Sequence, residues 1–163
     1  MINGVLHNIS GKIEIINLVH SAIKIAQEHN YDKSSKLYAK IFKMCSDNAF
    51  IFYQYGLFCE TTGDVKKAIN ELTEAIKLAP KIAAIYYDRG TMFQSIDHFD
   101  FAIDDFTKAI EIYPHFLDAF HNRGVSYFHQ GKKQLAILDF EAALKIDPTD
   151  ENSLENLRVI KTN

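Results

Sequence analysis

Residues 117–150 read LDAFHNRGVSYFHQGKKQLAILDFEAALKIDPTD, and they repeat a pattern that residues 83–116, AAIYYDRGTMFQSIDHFDFAIDDFTKAIEIYPHF, carry 34 positions earlier. Six columns of small, large apolar or proline residues keep this step through a third copy upstream. These columns are Gly56, Gly90 and Gly124; Ala68, Ala102 and Ala136; Ala75, Ala109 and Ala143; Pro80, Pro114 and Pro148; Phe52, Tyr86 and Phe120; and Leu72, Phe106 and Phe140. Six columns in one register predict an array of repeated structural units.

Each unit has the apolar periodicity of two helices. Large apolar residues recur three or four positions apart, which places them on one helical stripe. A break at Gly63, Asp97 and Gly131 divides each unit. Glycine, and less readily aspartate, tolerates the positive φ that commonly ends a helix. The prolines are expected to end each second helix, because proline cannot continue the hydrogen-bond ladder.

The glycine column predicts close packing between the two helices of a unit. Glycine inside a helix costs about 1 kcal/mol relative to alanine. Three such glycines in register imply an offsetting gain, for which the close approach of the paired helix is the simplest source. The large apolar columns are expected to fill the spaces between units, since aromatic side chains bury the most surface.

These columns resemble the tetratricopeptide repeat family, a 34-residue helix–turn–helix with the order aromatic, small, aromatic, Ala, aromatic, Ala, Pro. The three copies read Phe52-Gly56-Cys59-Ala68-Leu72-Ala75-Pro80, Tyr86-Gly90-Phe93-Ala102-Phe106-Ala109-Pro114 and Phe120-Gly124-Tyr127-Ala136-Phe140-Ala143-Pro148. The resemblance delimits repeats at 49–82, 83–116 and 117–150. It implies an all-α fold, an α-solenoid of stacked antiparallel helix pairs that forms a right-handed superhelix.

The ends of the chain extend the register less clearly. Residues 15–48 place Leu18, Ala22, Ile25, Ser34, Tyr38, Ile41 and Ser46 in the seven positions, which indicates a divergent helix pair. A dedicated N-terminal pair outside the family is the alternative. Residues 1–14 form a lead, whose first ten residues are expected to be loosely ordered. Residues 151–163 are expected to form a capping helix that starts at Thr149 or Asp150, so that 1–163 is a single domain.

The composition indicates an ordinary globular protein and excludes several classes of partner. The 163 residues are 47% hydrophobic and carry a net charge of −3. Nucleic acids and anionic membranes require a basic face, so neither is an expected partner. Two cysteines without a CxxC pair favour a reducing compartment. The N-terminus lacks a signal-peptide pattern and no segment is long enough to span a bilayer, which together predict a soluble, cytoplasmic protein with no membrane insertion.

The stretch around His121, Asn122 and Arg123 is the best candidate for chemistry, but the register weakens it. His121 corresponds to Tyr87 and Tyr53, so that column demands no histidine. Arg123 corresponds to Arg89, and a repeated arginine beside a packing glycine is expected to snorkel or to pair with an acid. His121 and His129 stand about 12 Å apart along a helix, too far to share a metal. We therefore expect no enzyme, metal or cofactor, with catalysis by His121 as a remote alternative.

The first helices of successive units are expected to line a concave groove. Helical spacing from the packing columns places a row of polar side chains there, with rows of aromatic and aliphatic side chains beside it. The predicted partner-binding residues are Tyr53, Gln54, Leu57, Tyr87, Asp88, Thr91, His121, Asn122, Val125 and His129. Such a surface suits an extended or helical peptide. The resemblance implies that Asn122 clamps a peptide backbone. Packing of Tyr53 and Tyr87 between neighbouring helices is the alternative interpretation.

The resemblance also allows one subclass to be tested. Tetratricopeptide co-chaperones that hold the EEVD tail of heat-shock chaperones use a lysine–asparagine–asparagine–lysine–arginine clamp. Its positions fall on Tyr53, Leu57, Asp88, Asp118 and Asn122, or one unit earlier on Val19, Ile23, Gln54, Ala84 and Asp88. Neither set is cationic, so we do not expect this protein to bind such a tail. Asp88, with Glu60 and Asp118, favours a ligand that carries a positive group.

Two functions fit the repeats. The first is a non-enzymatic adaptor or scaffold that binds a peptide or protein segment in its groove. The second is a small dedicated chaperone of the bacterial secretion type, which has a similar length and is often dimeric. The chaperone hypothesis predicts a homodimer through the apolar N-terminal segment with Ile13, Ile15 and Ile16, whereas the adaptor can be a monomer or a homodimer.

Overall fold

The backbone between Ile2 and Thr162 forms nine helices and no strand. The structure, a computed structural model, describes the backbone of residues 2–162 and the side chains of residue 11 and residues 13–162. The helices are α1 (Ile2–Gln27), α2 (Tyr31–Met44), α3 (Ala49–Thr61), α4 (Val65–Leu78), α5 (Ala83–Ser95), α6 (Phe99–Ile112), α7 (Leu117–His129), α8 (Lys133–Ile146) and α9 (Glu151–Thr162). They group into two compact units with the boundary between Ala79 and Pro80. From α4 onward every helix starts 34 positions after its counterpart in the preceding pair.

The first unit contains the pairs α1–α2 and α3–α4. In α3–α4 a Cβ on Gly56 would stand 3.0 Å from the side chain of Leu72, which confirms the close approach expected at this column. In α1–α2 the corresponding small position is Ala22, whose carbonyl accepts a hydrogen bond from Ser34 Oγ at 2.9 Å. The three α2 residues assigned to the packing columns are fully buried: Ser34, Tyr38 and Ile41. These contacts show that α1 and α2 pack closely as a pair.

The second unit contains α5–α6, α7–α8 and the terminal helix α9. The rings of Phe106 and Phe140 are buried against Gly90 and Gly124, where a Cβ would come within 2.8 and 2.9 Å of the ring carbons. Phe140 also forms an apolar cluster with Leu157 and Ile160 of α9. The helix α9 thus covers the flank of the last pair, as expected of a capping helix. Its start is capped by Asp150, whose Oδ2 accepts from the backbone N–H of Ser153 at 2.9 Å.

The four turns within the pairs share one geometry. Gly63, Asp97 and Gly131 have φ of 81°, 59° and 73°, as their break positions predict, and His29 takes the same role in the first pair with φ of 59°. In each turn the positive-φ residue and the next residue donate their N–H groups back to carbonyls of the helix just ended. This pattern satisfies carbonyls that a helix end would otherwise leave without partners. The prolines stand two residues beyond the ends of α4, α6 and α8, which confirms their role as stops.

The N-terminal lead differs from the expectation. Residues 1–14 were expected to precede the first helix, with the first ten loosely ordered, but α1 begins at Ile2 and continues without a break to Gln27. Adding residues to an existing helix costs far less than nucleating one, so the segment 15–27 can extend toward the N-terminus despite two glycines. Met1 lies outside the described residues. Within the described part of the chain, no helix has both the length and the apolar character needed to cross a membrane.

Candidate functional site

Two of the predicted binding residues in the second unit form a direct hydrogen bond. Asn122 of α7 donates from Nδ2 to the hydroxyl of Tyr87 on α5 at 3.1 Å. Both side chains are half-buried. The backbone around Asn122 is held as well, because Gln94 Nε2 donates to the Asn122 carbonyl at 3.0 Å and to Ser126 Oγ at 2.9 Å. Residues 28 to 35 positions apart in sequence are therefore brought to one surface by the pairing of two first helices.

The aromatic ring of Tyr87 also has a packing role. Its centroid lies 4.8 Å from that of Phe116 and 5.8 Å from that of Phe106. The alternative interpretation, in which this tyrosine packs between helices, therefore describes its ring, while its hydroxyl reaches Asn122. Burial, together with the negative charges of Asp118 and Asp88, raises the pKa of Tyr87 above its ordinary value. The phenol therefore keeps its proton near neutral pH and can act as a hydrogen-bond donor.

Thr91 and Val125 have local partners. Thr91 Oγ1 donates to the carbonyl of Asp88 within α5 at 2.7 Å. Val125 packs against the apolar cluster that Phe140 forms with α9. These two predicted residues therefore border the Tyr87–Asn122 pair without contributing a second polar pair. Gln94, which supports the pair, was missed from the sequence because its column in the next repeat holds Phe128.

His121 is engaged by the capping helix. Its Nδ1 lies 3.0 Å from Ser153 Oγ and 3.9 Å from Asp150 Oδ2, and its ring packs on Phe140 at 5.4 Å between centroids. Burial lowers the pKa of His121, against the opposing charges of Asp150 and Asp118. A catalytic Ser–His–Asp arrangement needs the serine and the carboxylate on opposite ring nitrogens and an accessible serine. Here both approach Nδ1, and Ser153 is fully buried, so the geometry is that of a helix–helix contact.

His129 lies apart from the Tyr87–Asn122 pair, at the end of α7. Its ring stacks on Phe99 with centroids 4.7 Å apart and an interplanar angle of 4°. This contact joins the end of α7 to the start of α6. His129 therefore packs on Phe99 of α6, whereas His121 packs on Phe140 of α8.

The repeated arginines Arg89 and Arg123 pair with buried acids. Pairing with an acid was one of the two roles predicted for them. Arg89 binds Asp105 through two hydrogen bonds of 2.8 and 2.7 Å, and Arg123 binds Asp139 with the same two distances. Both aspartates are at most 5% exposed. Burial raises the pKa of Asp105 despite the neighbouring Arg89. These pairs join the two helices of a repeat, and a ligand cannot reach the carboxylates.

In the first unit, Gln54 and Leu57 of α3 line a cavity of about 310 Å³. The remaining lining residues come from α1, α2, the turn between them and α3: Ile23, Ala26, Gln27, His29, Tyr31, Tyr38, Phe58 and Thr61. Tyr53, the third predicted residue of this unit, is half-buried on α3 and does not line this cavity. The contribution of Tyr31 and Tyr38 from α2 was missed, because only first helices were expected to line the groove.

Possible metal ligands and the thiol of Cys59 do not form a reactive site in the described part of the chain. Across the side chains that the structure describes, no group of three or more His, Cys, Asp or Glu could hold a metal ion. Cys59 is 2% exposed, and burial raises the pKa of its thiol to about 11. A thiol that stays protonated is a poor nucleophile.

Comparison with known families identifies the repeats. Residues 117–150 match one model of the tetratricopeptide repeat, and residues 51–82 match a second model of the same repeat. Both segments coincide with repeats delimited by the 34-residue columns. No curated protein matches the chain significantly.

Solved structures with a similar fold are numerous, and three are informative. MamA aligns over 86% of this chain and 82% of its own, with 23% identity and a TM-score of 0.82. YrrB, a TPR protein with an unusual peptide-binding site, aligns over 84% and 71% with 21% identity and a TM-score of 0.76. The first TPR of Spaghetti (RPAP3), bound to the HSP90 peptide SRMEEVD, aligns over 72% and 94% with 22% identity and a TM-score of 0.69. At these identities the likeness establishes the fold alone, and it confirms the expected all-α class of antiparallel helix pairs.

Proposed function

Because this chain is a tetratricopeptide repeat protein, we propose that it is a non-enzymatic adaptor that binds an extended segment of a partner protein. The observation that carries the proposal is the Tyr87–Asn122 hydrogen bond. When the Tyr87 oxygen accepts from Asn122 Nδ2, its own O–H proton can donate outward. The carboxamide oxygen of Asn122 supplies an acceptor beside it. One donor next to one acceptor complements the C=O and N–H of a peptide backbone.

The charges near the pair favour a neutral or basic segment. Burial is the main cause of the raised pKa of Tyr87, and the negative charges of Asp118 and Asp88 add to it, so both carboxylates act on this hydroxyl. A bound carboxylate would meet these two negative charges, whereas a lysine or arginine side chain would be attracted. The similar fold of a domain bound to SRMEEVD therefore does not extend to its ligand. We propose that acidic C-terminal tails are disfavoured here.

The proposal can be tested without a known partner. A displayed library of random peptides is selected on the full chain, and an enriched peptide is labelled for fluorescence anisotropy. Asn122→Ala and Tyr87→Phe each remove one polar group at the pair, and Tyr87→Phe retains the packing ring. Each is expected to weaken binding about 5- to 10-fold, the effect of losing one hydrogen bond.

Two variants in the same unit serve as matched controls. Asn152→Ala on α9 and Tyr113→Phe after α6 change the same chemical groups at exposed positions. They are expected to leave binding unchanged. Failure of the library to yield any binder, or equal affinities for the pair variants and their controls, would reject this site. Preference for acidic over basic peptides would reject the proposed charge selection.

A second candidate is the dedicated chaperone that works as a homodimer. The observation in its favour is the exposure of two large apolar residues on α1, with 53% of Ile13 and 45% of Ile16 accessible. The third residue of that segment, Ile15, is half-buried. Exposed apolar residues close together on one helix are typical of an interface with another chain. A strict monomer would exclude this candidate, whereas the adaptor is compatible with a monomer or a homodimer.

A further inference from the structure

We propose that the cavity of the first unit receives one large apolar side chain, leucine or phenylalanine in character, from the segment that the protein binds. This inference rests on the proposed function, because it names a feature of the same ligand. Gln54 and Leu57, two residues predicted from sequence to contact a partner, are part of its wall. The cavity thus belongs to the surface where the repeats are expected to meet their ligand.

The floor of the cavity is aromatic and buried. Tyr38 is fully buried and Phe58 is 7% exposed, and their ring centroids lie 5.2 Å apart. Tyr31 stands 6.4 Å from Phe58, with the ring planes inclined at 59°. A ring or branched alkyl group entering the cavity would therefore meet ring faces and edges, which is the geometry that aromatic pairs favour.

The hydroxyl groups of the lining are already used in internal hydrogen bonds. Tyr38 donates to the carbonyl of Gln54 at 3.3 Å, and Thr61 donates to the carbonyl of Phe58 at 2.8 Å. The hydroxyl of Tyr31 is 2.9 Å from Nδ1 of His29. With these groups satisfied, what they offer to the cavity is mainly carbon surface. This surface matches an apolar occupant.

The composition of the lining disfavours a charged side chain as the occupant of the cavity. The lining contains no aspartate, glutamate, lysine or arginine. A charged side chain entering such a cavity would lose hydration without meeting a carboxylate, an ammonium or a guanidinium group, which is unfavourable. A volume of about 310 Å³ lies at the lower end of the range of ligand sites. The cavity therefore suits one residue-sized apolar group, with the carboxamides of Gln27 and Gln54 beside it for the adjoining backbone.

The cavity can be probed directly with a capped amino acid. The full chain, labelled with ¹⁵N, is titrated with N-acetyl-L-phenylalaninamide while amide shifts are recorded. Saturable shifts are expected at Ala26, Leu57 and Phe58, with a dissociation constant on the order of 1 mM for a ligand of this size. N-acetyl-L-lysinamide and N-acetylglycinamide are expected to produce no saturable shifts at these residues.

A variant that fills the cavity supplies the second arm. Ala26→Leu adds carbon atoms at a half-buried lining position, and Ala39→Leu makes the same change at an exposed position of α2. The first is expected to abolish the phenylalanine shifts, and the second to leave them intact. Circular dichroism of both variants verifies that they remain folded. If Ala26→Leu does not fold, the comparison of the three capped amino acids with the unmodified chain still decides the matter.

The results separate this inference from the proposed function. Absence of saturable phenylalanine shifts, or equal shifts with the lysine probe, overturns the apolar cavity site even where library peptides bind through Tyr87 and Asn122. Conversely, phenylalanine binding that Ala26→Leu removes supports the cavity site even where the pair variants bind normally. In selected peptides, a conserved large apolar residue whose replacement by alanine weakens binding at least 10-fold is the further expected result.

Discussion

Glycine 90 illustrates how a residue with poor helix propensity stabilises this fold. A Cβ at this position would lie 2.8 Å from a ring carbon of Phe106, whose side chain is fully buried. The 34-residue register predicts this close approach. The residue that meets each glycine also belongs to a predicted column, since Leu72, Phe106 and Phe140 share one register position.

Alanine substitution should therefore have opposite effects at two helical glycines. Gly90→Ala gains about 1 kcal/mol of helix propensity but forces overpacking that costs about 1–3 kcal/mol. We expect a net loss in the free energy of unfolding. Gly11→Ala, in α1 with no atom within 4 Å of the added Cβ, should be neutral or stabilising. Urea denaturation followed by circular dichroism measures both, and an equal response would contradict the steric argument.

The arginine–aspartate pairs are residue-level features that sequence analysis resolved only in part. The repeated arginine pointed to an acid on a neighbouring helix, but not to which one. Asp105 and Asp139 occupy one column in the 34-residue register, which was the available signal. The corresponding residue of the first full repeat is Glu71, while Tyr55 stands in the arginine position. There the hydroxyl of Tyr55 accepts a hydrogen bond from Lys67 at 2.6 Å instead.

At the scale of elements, the turns were predictable because they depend on local backbone geometry. A residue at positive φ followed by a short cap recurs at positions 29, 63, 97 and 131. Three of these were identified from glycine or aspartate. His29 was missed, although histidine, like aspartate, is enriched among non-glycine residues at positive φ. His29 stands one repeat length of 34 residues before Gly63.

The contact between α7 and α9 should make stability depend on pH through His121. Burial lowers the pKa of His121 below its ordinary value of 6.5, despite Asp150 and Asp118. Between the folded and unfolded pKa values the unfolded chain binds more protons. The free energy of unfolding should therefore decrease as the pH falls from about 6.5 through the pKa of the folded state.

The pH effect is measured by urea denaturation at several pH values between 7.5 and 5. The variant His121→Asn should show a smaller decrease than the unmodified chain, because it removes the titrating group. His115→Asn, at an exposed position after α6, is the matched control and should follow the unmodified chain. A decrease of the same size in His121→Asn would assign the pH dependence to other groups.

At the scale of the whole molecule, the open question is whether α1 binds a second copy of the chain. The chaperone hypothesis requires a homodimer through the exposed residues Ile13 and Ile16. It predicts twice the 18.6 kDa chain mass in light scattering. It also predicts that the double change Ile13→Lys and Ile16→Lys restores the monomer. A strict monomer at all concentrations would exclude this arrangement and leave the adaptor hypothesis.

The sequence predicted the helix boundaries more accurately than it predicted the contacts around Tyr87 and Asn122. The repeat columns placed the turns and stops correctly from 49 to 150. The full extent of α1 was not foreseen, because nothing in a local pattern reveals how far an existing helix extends. Tyr87 and Asn122 were assigned to one surface from the register, yet their direct hydrogen bond, the support from Gln94 and the burial of His121 by Ser153 were not foreseen.

The sequence by itself determined the helix–turn–helix unit, its 34-residue step, its turns and its glycine contacts. These features depend on backbone propensity and on side chains within one helix pair, which repeat with the sequence. Only the tertiary structure decided which side chains from different pairs meet. The cavity arises from α1, α2 and α3 together, and the capping helix covers His121. Such contacts join residues far apart in the chain, and they depend on helix placement that no local pattern encodes.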